Sequence, residues 1–428
     1  MLSKSKILAF LQCKKRLWLE THYPNLRANS IVTAANYNVG NRLGDIARVI
    51  YDPNQTGVLI DTQTQDFSLV FSQSLGLLKS RQPIFEAGFS AQEVVAFADV
   101  MLPVKSGRKW VWRMVEVKST TRVKEYHFQD AAIQSYIARE AGVPLTSIAL
   151  AHINSEWVYP GKQQYQGLLV EQDVTKEAFE LRTQVRGWID AAHCIVRKRK
   201  EPQISTGGHC YDPFECGFLP YCQDQEPQAQ HPIDWLPGRL KNSLKKFIEA
   251  NGINEIGDVP DDLLNSIQKR VKAATLSQKT YFDRIGAKQS LSTYELPAYF
   301  MDFETIQFAI PIWKDTRPYQ KIPFQFSIHR LSCTGKLKKN AFLDLSGEDP
   351  SKAFAKALIS ACGQRGPIFV YNAGFERSII NDLEDRFSEL AKPLQAIRKR
   401  LVDLLPIARN FYSLYTTIFY LYLTNQCL

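Results

Sequence analysis

The sequence predicts an α/β protein built from more than one domain. A chain of 428 residues is too long for one ordinary hydrophobic core. With 45% hydrophobic and 22% charged residues, the composition is that of a globular chain. Strand-like and helix-like stretches alternate in two regions, which a polar, proline-rich segment at 224–237 separates. We therefore expect α/β domains at 1–228 and 296–428, joined by a helical linker at 229–295.

The first region is expected to form a mixed sheet flanked by helices. Apolar residues at helical spacing between Ile7 and Leu19 predict a helical start. Strand-like runs follow near 93–102 and 109–117, and in the second of them apolar and polar residues alternate. A helix fits 126–141, where a glycine and then a proline end the apolar pattern.

The rest of the chain predicts short helices and then a second sheet. Residues 239–285 read as small helices around a glycine-containing turn at 252–260, which resembles a helix–hairpin–helix element. Such an element can present backbone N–H groups to DNA phosphates; a plain helical linker is the alternative. Further on, strands are expected at 298–303, 324–331, 341–345 and 368–371, and helices at 351–362 and 375–387.

The charge of the chain favours an anionic partner. The formal net charge is +10 and the pI is near 9.1, and excess Lys and Arg suit the neutralisation of DNA phosphates. Simple solubility is the alternative explanation. The start of the chain lacks a signal-peptide pattern, so we expect a cytoplasmic protein. The apolar run at 411–423 is shorter than the roughly 20 residues of a membrane-spanning helix, so no membrane partner is expected.

Carboxylates and a lysine are spaced as a divalent-metal site requires. Glu116 and Lys118 share one face of a strand, and Asp99 comes from the strand before it. Two carboxylates can hold Mg²⁺ or Mn²⁺, and the lysine can position or polarise an attacking water. Glu86 is a further acid on the adjoining strand. A surface ion pair on an exposed strand edge is the alternative.

Four cysteines predict a second, sulfur-based site. Cys13 precedes the acidic residues, and Cys210, Cys216 and Cys222 follow them at close spacing. Four thiolates are what a [4Fe–4S] cluster requires, and soft sulfur suits iron–sulfur or zinc better than Mg²⁺. The same four cysteines could instead bind Zn²⁺. A further alternative is that they are four unrelated buried thiols that bind no metal.

The acid-x-Lys strand and the hairpin before it resemble the PD-(D/E)XK nuclease superfamily, in its RecB-like branch. The resemblance implies metal ligands at Asp99, Glu116 and the main-chain carbonyl of Val117. It also implies a catalytic Gln on the following helix, which Gln134 matches. The tyrosine of that motif falls at Tyr136, two residues on, where the branch places it four residues on. The stretch 40–45, where the branch often has a metal-binding histidine, contains none.

The cysteine layout resembles that of the iron–sulfur RecB-like exonucleases, including the CRISPR-associated exonucleases. In them the cluster joins the first helix to the end of the module and is not the catalyst. Nearly the whole chain resembles an uncharacterised bacterial family with such a module followed by a DEDD exonuclease-like domain, which has a ribonuclease H-like fold. This resemblance implies action on DNA, on single strands or ends, in repair or defence.

A second acidic site is expected in the C-terminal domain. Asp302 and Glu304 share one face of an apolar strand, as the first motif of the DEDD exonucleases does. Glu376 matches the position of the second motif, and Asp403 lies in a stretch that resembles a structural part of that family. No acidic residue follows Asp403, so the last metal-binding acid is missing and the domain is expected to be incomplete. A structural role for Asp302 and Glu304 is the alternative.

The sequence thus predicts a metal-dependent deoxyribonuclease with a structural [4Fe–4S] cluster. The alternative is a non-catalytic nucleic-acid-binding protein that keeps a decayed nuclease fold. The presence of Asp99, Glu116 and Lys118 favours the enzyme, because a decayed site would seldom preserve all three.

Overall fold

The structure is a computed structural model that describes residues 1–28, 31–62 and 64–413. It confirms the α/β class, with mixed sheets flanked by helices. None of the helices in these ranges is long and apolar enough to cross a membrane. The apolar run expected at 411–423 lies, from residue 414 onward, outside the described residues.

The chain divides into two compact units. Unit 1 comprises residues 1–227 together with 308–320, and unit 2 comprises residues 228–307 together with those from 321 onward. The helical segment expected at 229–295 therefore shares a unit with the C-terminal sheet. A stretch of 13 residues, 308–320, leaves that sheet between two of its strands and belongs to unit 1.

Unit 1 contains a seven-stranded mixed sheet and eight α-helices within the described residues. Its elements are β1 (Leu2–Ser3), α1 (Lys4–Gln12), α2 (Lys14–His22), α3 (Ile31–Tyr51), β2 (Val58–Leu59), α4 (Phe67–Leu77), β3 (Ile84–Ala91), β4 (Val94–Ser106), β5 (Lys109–Lys118), α5 (Glu125–Glu140), β6 (Leu145–Ile153), β7 (Leu169–Asp173), α6 (Thr175–Glu180), α7 (Arg182–Val196) and α8 (Leu219–Asp224).

The sheet of unit 1 runs in the order β2-β3-β4-β5-β6-β7, and β1 pairs parallel with β4. β3, β4 and β5 form an antiparallel meander, and β5 and β6 are parallel. α5 is the crossover between β5 and β6 and is buried along most of its length. It packs with α1 and α7 into the main core, which places one face of α5 over the middle of the sheet.

The helical start of the chain is two helices rather than one. α1 ends at its C-cap Cys13, whose extended backbone (φ −160°) breaks the helix, and α2 begins at the next residue. The break turns the chain so that α1 and α2 each bury an apolar face. Spacing alone could not reveal this break, because the apolar pattern continues through it.

Unit 2 contains a small helical region and a five-stranded sheet within the described residues. Its elements are α9 (Asn242–Asn251), α10 (Ser266–Ser277), β8 (Tyr281–Phe282), α11 (Arg284–Leu291), β9 (Ala298–Ile306), β10 (Ile322–Leu331), β11 (Leu337–Leu343), α12 (Ser351–Cys362), β12 (Ile368–Val370), α13 (Ala373–Arg386), α14 (Ala391–Arg398), β13 (Leu401–Asp403), α15 (Leu404–Phe411) and β14 (Tyr412–Ser413).

The sheet of unit 2 has the order β11-β10-β9-β12-β13. β9, β10 and β11 are antiparallel, whereas β9, β12 and β13 are parallel. Alternate residues of β9 at 299, 301 and 303 are buried in the core with α12, α13 and α14. The residues between them therefore lie on the opposite, more exposed face of the sheet.

The helical region before this sheet has its own small core. α9 ends at Gly252, whose left-handed backbone (φ 61°) suits a residue without a Cβ. Leu244, Ile256, Val259 and Leu264 pack together across the turn that follows. The predicted pair of short helices around this turn is confirmed; its role toward DNA stays a prediction.

Candidate active site

Three of the acids singled out from the sequence form one row across three adjacent strands. Glu86 on β3 lies between the pairs Phe85–Val100 and Ala87–Ala98, which places it across from Asp99 on β4. The β4–β5 register ends at the pair Val100–Val115, so Asp99 and Glu116 are the next residues beyond its end. Directly opposite residues of antiparallel strands are near neighbours on one face. Glu86 has a left-handed backbone (φ 57°) and interrupts the β3–β4 ladder, a conformation that non-glycine residues adopt mainly where the structure around them enforces it.

Lys118 lies beside this row and is paired with two acids. Its Nζ donates to Glu116 Oε1 at 2.9 Å and also to Asp130 Oδ2 on α5. Burial alone would lower the pKa of Lys118, but the charges of Asp130 and Glu116 outweigh burial and raise it. Lys118 is therefore a fixed cation and hydrogen-bond donor at neutral pH.

Gln134 joins the same cluster from α5. Its Nε2 donates to Glu116 Oε2 at 2.6 Å and to the carbonyl oxygen of Phe97 at 2.7 Å. Both side chains are buried, Gln134 to 1% and Glu116 to 3% exposure. The structure thus brings Gln134 to the acidic row that the sequence predicted it would serve.

Asp99 is held by the backbone of the neighbouring strand. Its Oδ2 accepts a hydrogen bond from the Val117 N–H at 2.6 Å, so the contact of Val117 with Asp99 is made through its amide nitrogen. Burial and the neighbouring charge of Glu116 raise the pKa of Asp99 above its usual range. Burial and the charge of Glu116 likewise raise the pKa of Glu86. Four acids, Glu86, Asp99, Glu116 and Asp130, thus lie close to two lysines, Lys4 and Lys118, and this excess of carboxyl groups favours a bound cation.

Two residues of this cluster were missed from the sequence. Asp130 lies one helical turn before Gln134 on α5, and that spacing of four residues was a usable signal. Burial opposes ionisation of Asp130, but Lys118 and Lys4 lower its pKa below the usual range. Lys4, at the start of α1, donates to Glu116 Oε1 at 2.7 Å and pairs with Asp130 Oδ1 at 3.0 Å. No local pattern around Lys4 marked it.

Tyr136 does not belong to the cluster. It is buried in the core, and its hydroxyl accepts a hydrogen bond from Gln92 Nε2 at 2.8 Å. The expectation that Tyr136 adjoins the acids is therefore wrong, because two residues along a helix turn a side chain by about 200° from Gln134. α3, which contains the stretch 40–45, brings the positive charge of Arg48 near Glu86.

The four cysteines singled out from the sequence line one cavity. Cys13 comes from the junction of α1 and α2, Cys210 and Cys216 from the loop before α8, and Cys222 from α8 itself. All seven described cysteines are free thiols. Burial raises the pKa of Cys222 to about 11 and also raises the pKa of Cys216, with mutual repulsion among the four sulfurs adding to it. Four free thiols that line one cavity, two of them buried and two partly buried, are a donor set that fits an iron–sulfur cluster or zinc.

Cations adjoin the same cavity. The buried side chains of Lys15 and Arg16 both line it, and Lys15 Nζ pairs with Glu201 at 2.8 Å. The positive charge of Lys15 lies close enough to Cys222 to favour its thiolate. His209 also lines the cavity, with its Nε2 3.6 Å from Cys210 Sγ. Cys194, Cys333 and Cys362 do not line this cavity.

The second acidic site is partly assembled in unit 2. Asp302 and Glu304 both lie on the exposed face of β9, as the alternation predicted. Glu376 on α13 is 2% exposed, and its Oε2 lacks a hydrogen-bond partner within the described residues. Burial raises the pKa of Glu376 to about 8, and the charges of Asp302 and Asp403 add to the shift. Asp403 therefore lies near the other acids, although it also caps α15 by accepting from the Leu405 N–H at 2.9 Å.

As they stand, the His, Cys, Asp and Glu side chains of residues 1–28, 31–62 and 64–413 contain no group of three or more arranged to hold a metal ion. In the first acidic site, Lys4 and Lys118 share Glu116 Oε1, and each contacts a different oxygen of Asp130. A metal there would bind to oxygens of Glu86, Asp99 and Glu116 that the lysines do not take.

The fold and these sites define an α/β protein with a buried acid–lysine cluster and a four-cysteine cavity in one unit, and a second acid cluster in the other. A model of a domain of unknown function (DUF2779) matches residues 299–423, which fall in unit 2 except for 308–320. A comparison with curated proteins gave no match.

Proposed function

We propose that the chain is a Mg²⁺- or Mn²⁺-dependent nuclease that cleaves phosphodiester bonds of DNA, with its active site in unit 1. The observation that carries the proposal is the row of Glu86, Asp99 and Glu116 on three adjacent strands, with Lys118 paired to Glu116. The carboxylates of this row can bind a divalent cation, and the ammonium group of Lys118 beside them can interact with a phosphate.

The residues of the site have separable roles in this proposal. Asp99 and Glu116 would hold the metal ion, with Glu86 and the main-chain carbonyl of Val117 as further oxygen ligands. A bound Mg²⁺ or Mn²⁺ supplies charge stabilisation at the phosphate and lowers the pKa of a bound water. Lys118 stays protonated, because Asp130 and Glu116 raise its pKa, so it acts as a donor that orients water or phosphate and not as a general base.

Gln134 and Asp130 act on these groups from α5. Gln134 orients Glu116 through the hydrogen bond to Oε2, and Asp130 balances the charge of Lys118. Partners of this kind fix the direction in which metal ligands and donors point. The burial of both side chains excludes water from that side of the site and strengthens the interactions within it.

A DNA substrate is supported by the charge of the whole chain. The excess of Lys and Arg, 53 against 43 acids, supplies cations for phosphate contacts. Single strands or ends, and a role in repair or defence, are the substrate and setting that the resemblance to the RecB-like exonucleases implies.

For the four-cysteine cavity we propose a structural [4Fe–4S] cluster, with Zn²⁺ as the alternative. Cys13, Cys210, Cys216 and Cys222 would hold it, and the shared cavity with its adjoining cations fits a group bound by thiolates. In either case the ligand would connect α1 to the loop around α8. Broad absorbance near 400 nm with bound iron supports the cluster; a colourless protein with stoichiometric zinc supports the alternative.

Unit 2 offers a second candidate site for metal-dependent hydrolysis. The specific observation in its favour is Glu376, a buried carboxyl group whose Oε2 lacks a hydrogen-bond partner within the described residues and which lies near the charges of Asp302 and Asp403. Glu304 would complete the group from β9. An unpartnered buried carboxyl is costly unless protonated or bound to a cation. A lone Glu304→Gln substitution tests whether this cluster contributes to cleavage.

The test of the proposed function is cleavage of labelled single- and double-stranded DNA with Mn²⁺, by the native chain and by Lys118→Ala. We expect Lys118→Ala to lose about 10²-fold or more in rate, as removal of one donor to developing charge does elsewhere. Lys105→Ala, an exposed lysine on β4 of the same sheet, is the control and should cleave normally. Equal cleavage by native protein and Lys118→Ala, or none by either, would overturn the proposal; DNA binding without cleavage in any metal would support the non-catalytic alternative.

A further inference from the structure

Lys4 is an unexpected member of the acidic cluster. It is the first residue of α1, a helix capped by the side chain of Ser3. Its Nζ lies 2.7 Å from Glu116 Oε1, 2.5 Å from Gln134 Oε1 and 3.0 Å from Asp130 Oδ1. Lys4 thus donates hydrogen bonds to Glu116 and Gln134 and lies within ion-pair distance of Asp130. These three contacts, from β5 and α5, fix the position of the ammonium group.

Lys4 determines how Gln134 and Glu116 are oriented. The amide oxygen of Gln134 accepts from Lys4, so its amide nitrogen must face Glu116 Oε2 and the carbonyl of Phe97. Glu116 Oε1 accepts from both Lys4 and Lys118. Within the described residues, Glu116 Oε2 accepts only from Gln134, so it keeps capacity for a further ligand. Lys4 thus selects which oxygen of Glu116 remains open.

The opposite end of α1 lies at the four-cysteine cavity. Gln12 Nε2 donates to the carbonyl oxygens of His209, at 2.9 Å, and Phe214, at 2.7 Å. Cys13 is the C-cap of the helix and lines the cavity. Nine helical residues span about 13 Å, so one short rigid element connects the two sites.

We propose that Lys4 is a positioning residue of the acidic site and that α1 makes its placement depend on the four-cysteine cavity. The inference rests on the proposed function, since it concerns how that site is held ready for a divalent cation. The anchoring of Gln12 and Cys13 sets the axial position of α1. The axial position of α1 determines where the ammonium group of Lys4 lies. Its hydrogen bonds in turn fix the orientation of the Gln134 and Glu116 side chains.

A simpler role for Lys4 makes the opposite prediction. If its charge merely neutralised the acids, removing it would relieve repulsion toward a metal ion and tighten metal binding. If Lys4 positions Glu116 and Gln134, removing it lets both reorient and weakens metal binding. The direction of the change in Mn²⁺ affinity therefore separates the two roles.

The first experiment measures Mn²⁺ affinity by electron paramagnetic resonance in the full chain. An Asp302→Asn background removes the contribution of the second acid cluster. We expect Lys4→Ala to weaken binding by about 10-fold or more, the usual effect of losing a partner of a metal ligand, and Lys4→Arg to restore most of it. Lys6→Ala, on the same helix but outside the cluster, should bind as the native chain does. Unchanged or tighter binding by Lys4→Ala would overturn the proposal.

The second experiment needs neither metal nor DNA, so it tests Lys4 even if the native chain fails to bind Mn²⁺ and the proposed function falls. Amide hydrogen exchange is followed by mass spectrometry in peptides covering the end of β5 and the first half of α5. We expect both Lys4→Ala and Gln12→Ala to speed exchange there, and the double variant to add little to either. Unchanged exchange in Lys4→Ala, or fully additive effects, would overturn the dependence on α1.

Discussion

At the scale of single residues, the acidic cluster is a balance between buried carboxyl groups and two lysines. Asp99 and Glu86 have raised pKa values, whereas that of Asp130 is lowered, because Asp130, unlike Asp99 and Glu86, is paired with both ammonium groups. Buried ion pairs add little net stability while intact, but breaking one leaves an uncompensated charge. The cluster is therefore sensitive to single substitutions that leave its packing unchanged.

Asp130→Asn is expected to destabilise unit 1. The change preserves shape but leaves Lys4 and Lys118 with less compensating charge in a buried site. We expect a loss of roughly 3 kcal/mol in the free energy of unfolding. Urea denaturation measures it. The matched control is Glu389→Gln, which breaks the exposed pair with Lys352 and should change little. Equal effects of both substitutions would contradict the buried-pair account.

His127 is expected to make stability depend on pH. It is 1% exposed, and burial together with the charge of Lys118 lowers its pKa to about 4. Its unfolded pKa is about 6.5, so the unfolded chain binds the proton more readily. The stability contribution is fully present above pH 6.5 and is lost as the pH falls toward 4.

The measurement compares urea midpoints of the native chain and His127→Gln between pH 7 and pH 4.5. The glutamine keeps an acceptor for the Lys124 N–H, which His127 Nδ1 accepts at 3.1 Å. We expect the native chain to lose more stability on acidification than the variant does. Parallel curves would show that His127 already carries its proton in the folded state.

At the scale of secondary-structure elements, periodicity revealed the central strands and α5 but not the elements whose form depends on distant contacts. The alternation at 109–117 correctly predicted β5, because one face of that strand is buried from Trp112 to Glu116. The break between α1 and α2 is fixed by the pairing of Gln12 with the loop 209–214, about 200 residues away. The residues that neighbour Gln12 in sequence do not indicate such a long-range contact.

The acidic site shows the same division. Asp99, Glu116 and Lys118 could be predicted because spacing along strands places them on one face. Asp130 could have been found from its helical spacing to Gln134. Lys4 could not, because its place depends on how α1 packs against α5 and the sheet. The sequence also gave no sign that 308–320 belongs to unit 1, because this stretch directly follows β9, a strand of unit 2.

A backbone contact before β12 is expected to fix the centre of the sheet in unit 2. Gly366 has a φ of 89°, and a Cβ there would lie 1.7 Å from the carbonyl oxygen of Pro297. We expect Gly366→Ala to destabilise unit 2 by several kcal/mol, since backbone must move to admit it. Gly347→Ala is the control, because Gly347 has a similar φ of 84° but open space at its Cβ. Comparable thermal shifts in the two variants would contradict the clash.

At the scale of the whole molecule, the first helix and the segment 210–222 are far apart in sequence but meet at one cavity. A ligand bound by Cys13, Cys210, Cys216 and Cys222 would close a loop of about 200 residues around the acidic site. Metal binding to a folded site stabilises the folded state. Loss of one cysteine ligand should therefore lower the stability of unit 1 as a whole.

Cys13→Ser is therefore expected to lower bound iron or zinc and the thermal midpoint of the chain together. Cys194→Ser, at an exposed free thiol outside the cavity, should change neither. Metal content by elemental analysis and a thermal scan on the same samples make the comparison. A Cys13→Ser protein with native metal content would rule out Cys13 as a ligand.

We propose that cleavage takes place in unit 1 and not at the second acid cluster. The most direct measurement is the rate of Mn²⁺-dependent cleavage of labelled single-stranded DNA by Glu116→Gln and by Glu304→Gln, each an isosteric loss of one carboxylate. We predict that Glu116→Gln loses about 10²-fold or more, as loss of a group acting on developing charge does, and that Glu304→Gln keeps nearly the native rate. Loss of cleavage in Glu304→Gln with native activity in Glu116→Gln would contradict the claim.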